Sequence, residues 1–99
     1  MELVVDEGPA GVTQAALIGR MDIDGAQKIE TPFRVLTRLR RALVIDLSQV
    51  SFMASMGLRT LMVGARTQAE LGGKLVLASP QPNVEKVLRE SGIGEIIGV

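Results

Sequence analysis

The chain has 99 residues, a length typical of one domain, and 46% of them are hydrophobic, which is enough for a core. Eleven basic residues balance eleven acidic ones, so there is no net charge that would attract nucleic acid or an anionic membrane surface. Cysteine and histidine are both absent, which excludes disulfides, thiolate and imidazole metal sites, and catalytic triads or dyads that need either residue.

Targeting and membrane segments are not expected. No apolar run approaches the roughly 18 residues needed to span a bilayer. The N-terminus lacks the basic start and apolar stretch of a signal peptide. The sequence therefore predicts a soluble, cytoplasmic domain with no nucleic-acid or membrane partner, no metal and no cofactor.

Two strands and a helix are predicted first. Residues 3–6 and 12–19 read as strands in a β-hairpin, separated by the turn residues 7–11. A helix follows from about Gly25, with Asp22 or Asp24 as its N-cap. One apolar stripe recurs at helical spacing and comprises Ala26, Ile29, Phe33, Leu36 and Leu39. Pro32 interrupts this stripe and predicts a kink or a second helical segment, because proline lacks an N–H group.

Two strand–helix pairs and a last strand are predicted next. Residues 42–47 are nearly all apolar, as in a strand buried on both faces. After a loop at 48–54, a helix is predicted over 55–71, ending where Gly72 and Gly73 allow a left-handed backbone. Its inner face comprises Leu58, Leu61, Met62, Ala65 and Ala69. A strand at 74–78, a helix ending at Gly92 with Val84, Val87 and Leu88 facing inward, and a short strand at 96–99 complete the order.

This order predicts a single α/β domain over residues 1–99. Alternating buried strands and helices favour a mixed, mostly parallel sheet of about five strands with helices packed mainly on one face. No helix is expected after the last strand. Loops that follow parallel strands converge at one sheet edge, so residues near 22 and 55 are expected to be neighbours.

Two acidic residues precede the first predicted helix. Asp22 and Asp24 could perform general acid–base chemistry or hold a metal. Helix capping is favoured, because acidic residues are common at this position.

The segment from Ile45 to Gly57 is the most informative one. Ser55 is predicted as the N-cap of a helix. The same helix N-terminus would also accommodate a phosphate, since it offers free N–H groups and the positive end of the helix dipole. Gly57 would let another chain approach the backbone closely. The residue pattern alone leaves the capping and phosphate interpretations equally weighted.

The run VIDLSQVSFMASMGLRTL at 44–61 resembles the motif of bacterial STAS-domain anti-sigma-factor antagonists. Their usual form is a strand, then D-L, then a loop ending in M-D-S-(S/T)-G-L. The segments 19–22, 72–75 and 82–93 also match family patterns, so the resemblance covers almost the whole chain.

The resemblance implies a non-enzymatic partner-switching module. Such a protein, when unmodified, binds an anti-sigma factor that is also a serine kinase, and the sigma factor is released. The kinase phosphorylates a serine that corresponds to Ser55, and a metal-dependent serine phosphatase reverses the modification. Because loops after parallel strands converge at one sheet edge, the partner contacts expected around Ser55 are Asp22, Asp24, Ala54, Met56 and Gly57, together with Leu58 and Arg59 at the helix start.

The sequence departs from the motif at two positions. Ala54 replaces the aspartate before the acceptor serine, and Met56 replaces the serine or threonine after it. Met56 could adapt to a partner surface or pack inward. The alternative function is therefore a scaffold or partner-binding module without a switch, in another signalling pathway.

Overall fold

The computed structural model describes residues 1–93, in which four strands and three helices follow one another. Their bounds are β1 Glu2–Glu7, β2 Thr13–Met21, α1 Ile23–Leu39, β3 Ala42–Met53, α2 Ser55–Glu70, β4 Lys74–Ala78 and α3 Pro82–Ser91. Within these 93 residues, no helix is both long and apolar enough to cross a membrane.

The strands form one mixed sheet in the order β1-β2-β3-β4. Strands β1 and β2 are antiparallel, whereas β2, β3 and β4 run parallel. The predicted α/β class and the mostly parallel sheet are therefore confirmed. The described sheet has four strands rather than the predicted five, and the segment predicted as the fifth, 96–99, lies outside the described residues.

One face of this sheet forms the core. Alternate strand residues are buried with side chains from all three helices in one cluster, which includes Leu17, Ile45, Leu77, Phe33, Leu61 and Leu88. The intervening strand residues, such as Ala16, Val44 and Val76, are only half-buried. Because the pleat sends successive side chains to opposite faces, the helices cover one face of the sheet.

Strand β3 is twice as long as predicted, and the predicted loop at 48–54 is wrong. Residues Gln49 to Met53 continue the strand, pairing with the end of β2 across two register shifts. Strands are predicted from alternating apolar and polar residues. Each bulge changes the sheet face that the following residues occupy, so this alternation is interrupted and the strand was missed. The longer strand carries the chain directly to the start of α2.

The prediction of a second helical segment at Pro32 is also wrong. Helix α1 continues through this residue to Leu39. Pro32 is exposed, so the carbonyl that loses its N–H partner lies on the solvent side of the helix, where water can pair with it.

Two residues assigned to the core lie on the surface. Leu39 is 66% exposed at the end of α1. Ala69 is exposed as well, and the neighbouring Gln68 is buried instead. The inward stripe of α2 comprises Leu61, Ala65 and Gln68. The hydrophobic pattern missed Gln68 because its side chain is polar.

Gln68 fastens the end of α1 to α2. Its side-chain Nε2 donates to the carbonyl oxygens of Thr37 and Arg40. A helix end leaves such carbonyls without intrahelical partners, and the buried amide supplies the donors that they lack. Gly73 is needed beside it, since a Cβ there would lie 2.3 Å from the Gln68 Oε1 and 2.6 Å from the carbonyl oxygen of Arg41.

We expect Gln68→Leu to lower the free energy of unfolding by about 2 kcal/mol, because the substitution leaves two carbonyls without a donor. Chemical denaturation monitored by circular dichroism measures this change. The exposed Gln27→Leu is the matched control and should change the free energy by less than about 0.5 kcal/mol. Equal effects of the two substitutions would contradict the assigned role of Gln68.

Candidate functional site

The carboxyl ends of β2 and β3 bring two segments of the predicted site together. Met21 and Met53 are partners in the parallel ladder. The next residue, Ala54, donates its N–H to the carbonyl oxygen of Met21 at 3.0 Å. Asp22 and Ser55 each follow directly on this contact, so the starts of α1 and α2 lie side by side at one sheet edge, as the topology predicts.

Gly57 allows α2 to begin at this position. The residue is buried, and a Cβ there would lie 2.7 Å from both the Met21 Cγ and the Met53 Sδ. A larger residue would force the Met21 and Met53 side chains, or the start of the helix, to shift. The lack of a side chain at Gly57 therefore has a packing reason within the domain.

Ser55 is exposed and is the first residue of α2, so the prediction that it is the N-cap is wrong. The N-cap is Ala54, which has an extended backbone and whose carbonyl accepts from the Leu58 N–H at 3.1 Å. Alanine has no side-chain acceptor, so no cap hydrogen bond forms at the start of α2. This leaves first-turn N–H groups available beside the Ser55 side chain.

Helix α1, by contrast, is capped by Asp22. The carboxylate Oδ1 accepts from the Gly25 N–H at 2.8 Å, and Oδ2 lies 3.7 Å from the Arg20 Nε. The Gly25 hydrogen bond, with help from the Arg20 charge, lowers the pKa of Asp22 below its ordinary value. Asp24 is exposed in the first turn of α1. The hydrogen bond from the Gly25 N–H confirms that Asp22 caps α1. Among residues 1–93, no group of three potential metal ligands is present.

Large apolar side chains are exposed at the ends of β2 and β3 and at the starts of the helices that follow them. Met56 is 39% exposed in the first turn of α2, Phe52 is 37% exposed near the end of β3, and Ile23 is 58% exposed at the start of α1. The Arg20 guanidinium lies over the Phe52 ring at 4.5 Å from its centroid. We call these four residues with Ser55 the Ser55 edge.

Three members of the Ser55 edge were not identified from the sequence. Phe52 lies in the segment predicted as a loop, and Arg20 becomes its neighbour only through the ladder that pairs the two residues. Ile23 could have been found, because it is an apolar residue between two acidic ones and outside the stripe of α1. Exposed apolar groups near one another mark an interaction surface more strongly than single ones.

The two remaining predicted contacts point in different directions. Leu58 is half-buried and packs against the core. Arg59 is exposed and lines a groove between α1 and α2 together with Met56. Met56 is thus a surface residue, which answers the question that the sequence left open.

We expect Ala54→Asp to raise the free energy of unfolding by about 1 kcal/mol, because it supplies the missing cap acceptor. Ala54→Asn should give a similar gain without adding a charge, and Ala54→Val should give none. Thermal and urea unfolding measure these differences. A loss of stability with both Asp and Asn would contradict the assignment of residue 54 as the N-cap.

The Asp22 cap predicts a specific pH dependence. A carboxyl whose pKa is lowered by folding stabilises the folded state fully above the ordinary aspartate pKa, about 3.9, and this stabilisation is lost as the pH falls from there through the lowered value. Asp22→Asn keeps a cap acceptor that does not titrate. Its melting temperature should therefore fall less steeply than that of the parent in this acid range. Identical slopes of melting temperature against pH for the parent and Asp22→Asn would contradict this contribution of Asp22. At neutral pH, Asp22→Ala should be less stable than both of these proteins, because it has no cap acceptor.

Comparisons with known proteins place this geometry in a family. The model of the STAS domain matches residues 4–99. BtrV of Bordetella bronchiseptica, which is provisionally named an anti-sigma factor antagonist, is 29% identical over 100 residues that cover all of this chain and 85% of BtrV.

Solved structures show the same fold. A Thermotoga maritima protein, also provisionally named an anti-sigma factor antagonist, superposes with a TM-score of 0.88 at 19% identity, covering 97% of this chain and 83% of that one. The anti-sigma factor antagonist SpoIIAA in its unphosphorylated form gives a TM-score of 0.79 at 20% identity, covering 97% and 85% of the two chains. Bacillus SpoIIAA in its phosphorylated form gives 0.74 at 19%, covering 97% and 88%. With a family match across nearly its whole length, and with the fold and sheet edge described above, this chain belongs to the STAS domain family.

Proposed function

We propose that this chain is an anti-sigma factor antagonist regulated by phosphorylation of Ser55. In its unmodified form it binds an anti-sigma factor that is also a serine kinase, and the sigma factor is released. The kinase transfers the terminal phosphate of ATP to the Ser55 hydroxyl, which ends the binding. A metal-dependent serine phosphatase removes the phosphate and restores the binding form.

The observation that carries the proposal is the exposed position of Ser55 at the first residue of a helix without a side-chain cap. An exposed hydroxyl is accessible to a kinase. The free N–H groups and the positive end of the dipole of α2 would stabilise a phosphate there. The name of BtrV and the two forms of SpoIIAA, phosphorylated and unphosphorylated, support the same function.

The surroundings of Ser55 explain how one phosphate could end binding. A phosphate adds about −1.5 to −2 charges at neutral pH. Ile23, Phe52 and Met56 offer apolar surface that a partner would cover. A dianion within such a contact must lose hydration when a partner covers this apolar surface, and this cost weakens the complex.

Ala54 changes the electrostatics of the acceptor. The aspartate usual in the motif would add a negative charge directly before the phosphate and would also compete for the N–H groups of α2. Alanine does neither, so phosphate at Ser55 has the helix terminus to itself. A kinase that modifies this chain must therefore recognise the Ser55 edge without an acidic neighbour at position 54.

Incubation with the cognate serine kinase and ATP should add one phosphate to the parent and none to Ser55→Ala, because the acceptor hydroxyl is lost. Intact-protein mass spectrometry measures the gain. Ser48→Ala, which removes an exposed serine from the middle of β3, is the matched control and should still gain one phosphate. If the parent gained no phosphate while the kinase was active on another substrate, the proposed phosphorylation of Ser55 would be contradicted.

The alternative function, a partner-binding scaffold without a switch, is favoured by the loss of both motif residues around Ser55. Ser55→Asp separates the two functions. If Ser55 is the switch, the added charge should weaken partner binding about tenfold or more, as for an unpaired charge in an interface. Isothermal titration calorimetry measures the affinity, with Ser48→Asp as the control. Unchanged affinity of Ser55→Asp would favour the scaffold.

A further inference from the structure

A groove between α1 and α2 begins at Met56, beside Ser55, and encloses about 370 Å³. We call it the α1–α2 groove. Its lining includes Phe33, Arg34 and Arg38 from α1, and Met56, Arg59 and Val63 from α2. Of these residues, only Met56 and Arg59 are among the partner contacts predicted from the sequence.

The floor of the α1–α2 groove is apolar. The Phe33 ring lies directly against the backbone of α2 at Gly64, where a Cβ would be only 2.6 Å from the ring Cε2. Met56 and Val63 form the wall on α2 and are 39% and 52% exposed. They are seven residues apart, so both project from the same side of the helix. This surface would lose water contact if a partner filled the groove.

The rim of the α1–α2 groove is basic, although the chain as a whole has no net charge. Arg34, Arg38 and Arg59 line it, against the single carboxylate of Glu30. Glu30 lies 3.9 Å from Arg34. Among the described residues, no carboxylate lies within 4.0 Å of the Arg38 or Arg59 guanidinium. The groove therefore presents positive charge around an apolar floor, which fits a negatively charged, partly apolar partner.

The shape of the α1–α2 groove favours a helix as the occupant. Its lining on α2 runs from Met56 to Thr67, which corresponds to about 16 Å, or three helical turns. Both walls are helices whose backbone groups are hydrogen-bonded internally, so an added strand would find no free edge to pair with. A helix needs only side-chain contacts and can place apolar residues in such a groove at every third or fourth position.

A second copy of this chain fits the α1–α2 groove poorly. A twofold dimer through the groove would bring the same surface of both copies together. Arg34, Arg38 and Arg59 of each copy would then face those of the other, and like charges across an interface oppose association.

From the groove's floor, rim and length we infer that it binds an acidic amphipathic helix of another protein, about three turns long, with apolar residues on the floor and carboxylates along the rim. Because the groove starts at Met56, a partner that covers the Ser55 edge can extend such a helix into it without a gap. Assigning the helix to the partner that contacts Ser55 rests on the proposed function. The groove's preference for an acidic amphipathic helix does not.

The direct test uses a synthetic peptide. A probe of about 12 residues carries Leu at i, i+3, i+4 and i+7 on one face and Glu on both flanks, and a matched peptide carries Lys in place of Glu. Fluorescence anisotropy with the full chain should detect binding of the acidic peptide and much weaker binding of the basic one. Nitrogen-15 NMR should show the largest shift changes in the groove residues of α1 and α2. No binding of the acidic peptide, or shifts confined to other surfaces, would overturn the inference.

Charge and apolar variants separate the groove from the rest of the surface. Reversing both rim arginines of α1, Arg34→Glu with Arg38→Glu, should weaken binding of the acidic peptide about tenfold, whereas Lys28→Glu, at an exposed site on α1 that does not line the groove, should not. Val63→Asp should also weaken binding about tenfold, because it places a charge over the apolar floor. The control for that change is Val35→Asp, at a site on α1 that is 49% exposed and outside the groove. Equal effects of the groove variants and their controls would contradict the inference.

The outcomes for the groove and for Ser55 can be told apart. Peptide binding without phosphate gain at Ser55 would contradict the switch and leave the groove inference intact. Phosphate gain without peptide binding would overturn the groove inference and leave the proposed function intact.

Discussion

The contact between the ends of β2 and β3 is the constraint on which the site depends. Met21 and Met53 pair in the ladder, and Gly57 packs against both of their side chains. A Cβ at Gly57 would overlap both methionine side chains, so its absence lets the start of α2 lie against the strand ends and beside the start of α1. The exposed position of Ser55 follows from this packing arrangement. The same arrangement brings Ser55 to the sheet edge where Asp22 lies, although the two residues are far apart in the chain.

The same edge carries two helix starts with opposite electrostatic character. Asp22 satisfies an N–H group of α1 and brings a negative charge to it. Ala54 offers α2 neither a side-chain acceptor nor a charge. A negatively charged group that arrives at Ser55 therefore meets an unneutralised helix terminus, and the proposed switch uses this difference. The fold tolerates the missing cap because burial of Gly57 and Leu61 holds α2 in place.

The distribution of charge separates two parts of the surface. Around Ser55 the exposed groups are mainly apolar, and the nearby charges of Arg20 and Asp22 are paired with each other. Along the α1–α2 groove, arginines predominate over an apolar floor. Net neutrality of the whole chain conceals this difference, since a local field depends on which charged residues the fold brings together. A partner that spans both parts would meet apolar contacts first and complementary charge farther along α2.

The sequence by itself determined the order of elements, the α/β class, the Asp22 cap and the position of the Ser55 segment at a sheet edge, because periodicity, capping residues and parallel-strand topology are local or follow from chain order. Tertiary structure decided the rest. Extension of β3 to Met53 depends on pairing with β2, and it made Ala54 rather than Ser55 the cap. Burial of Gln68 depends on carbonyls at the end of another helix. The α1–α2 groove exists only where Gly64 meets Phe33, a contact between residues far apart in the chain that no local pattern encodes.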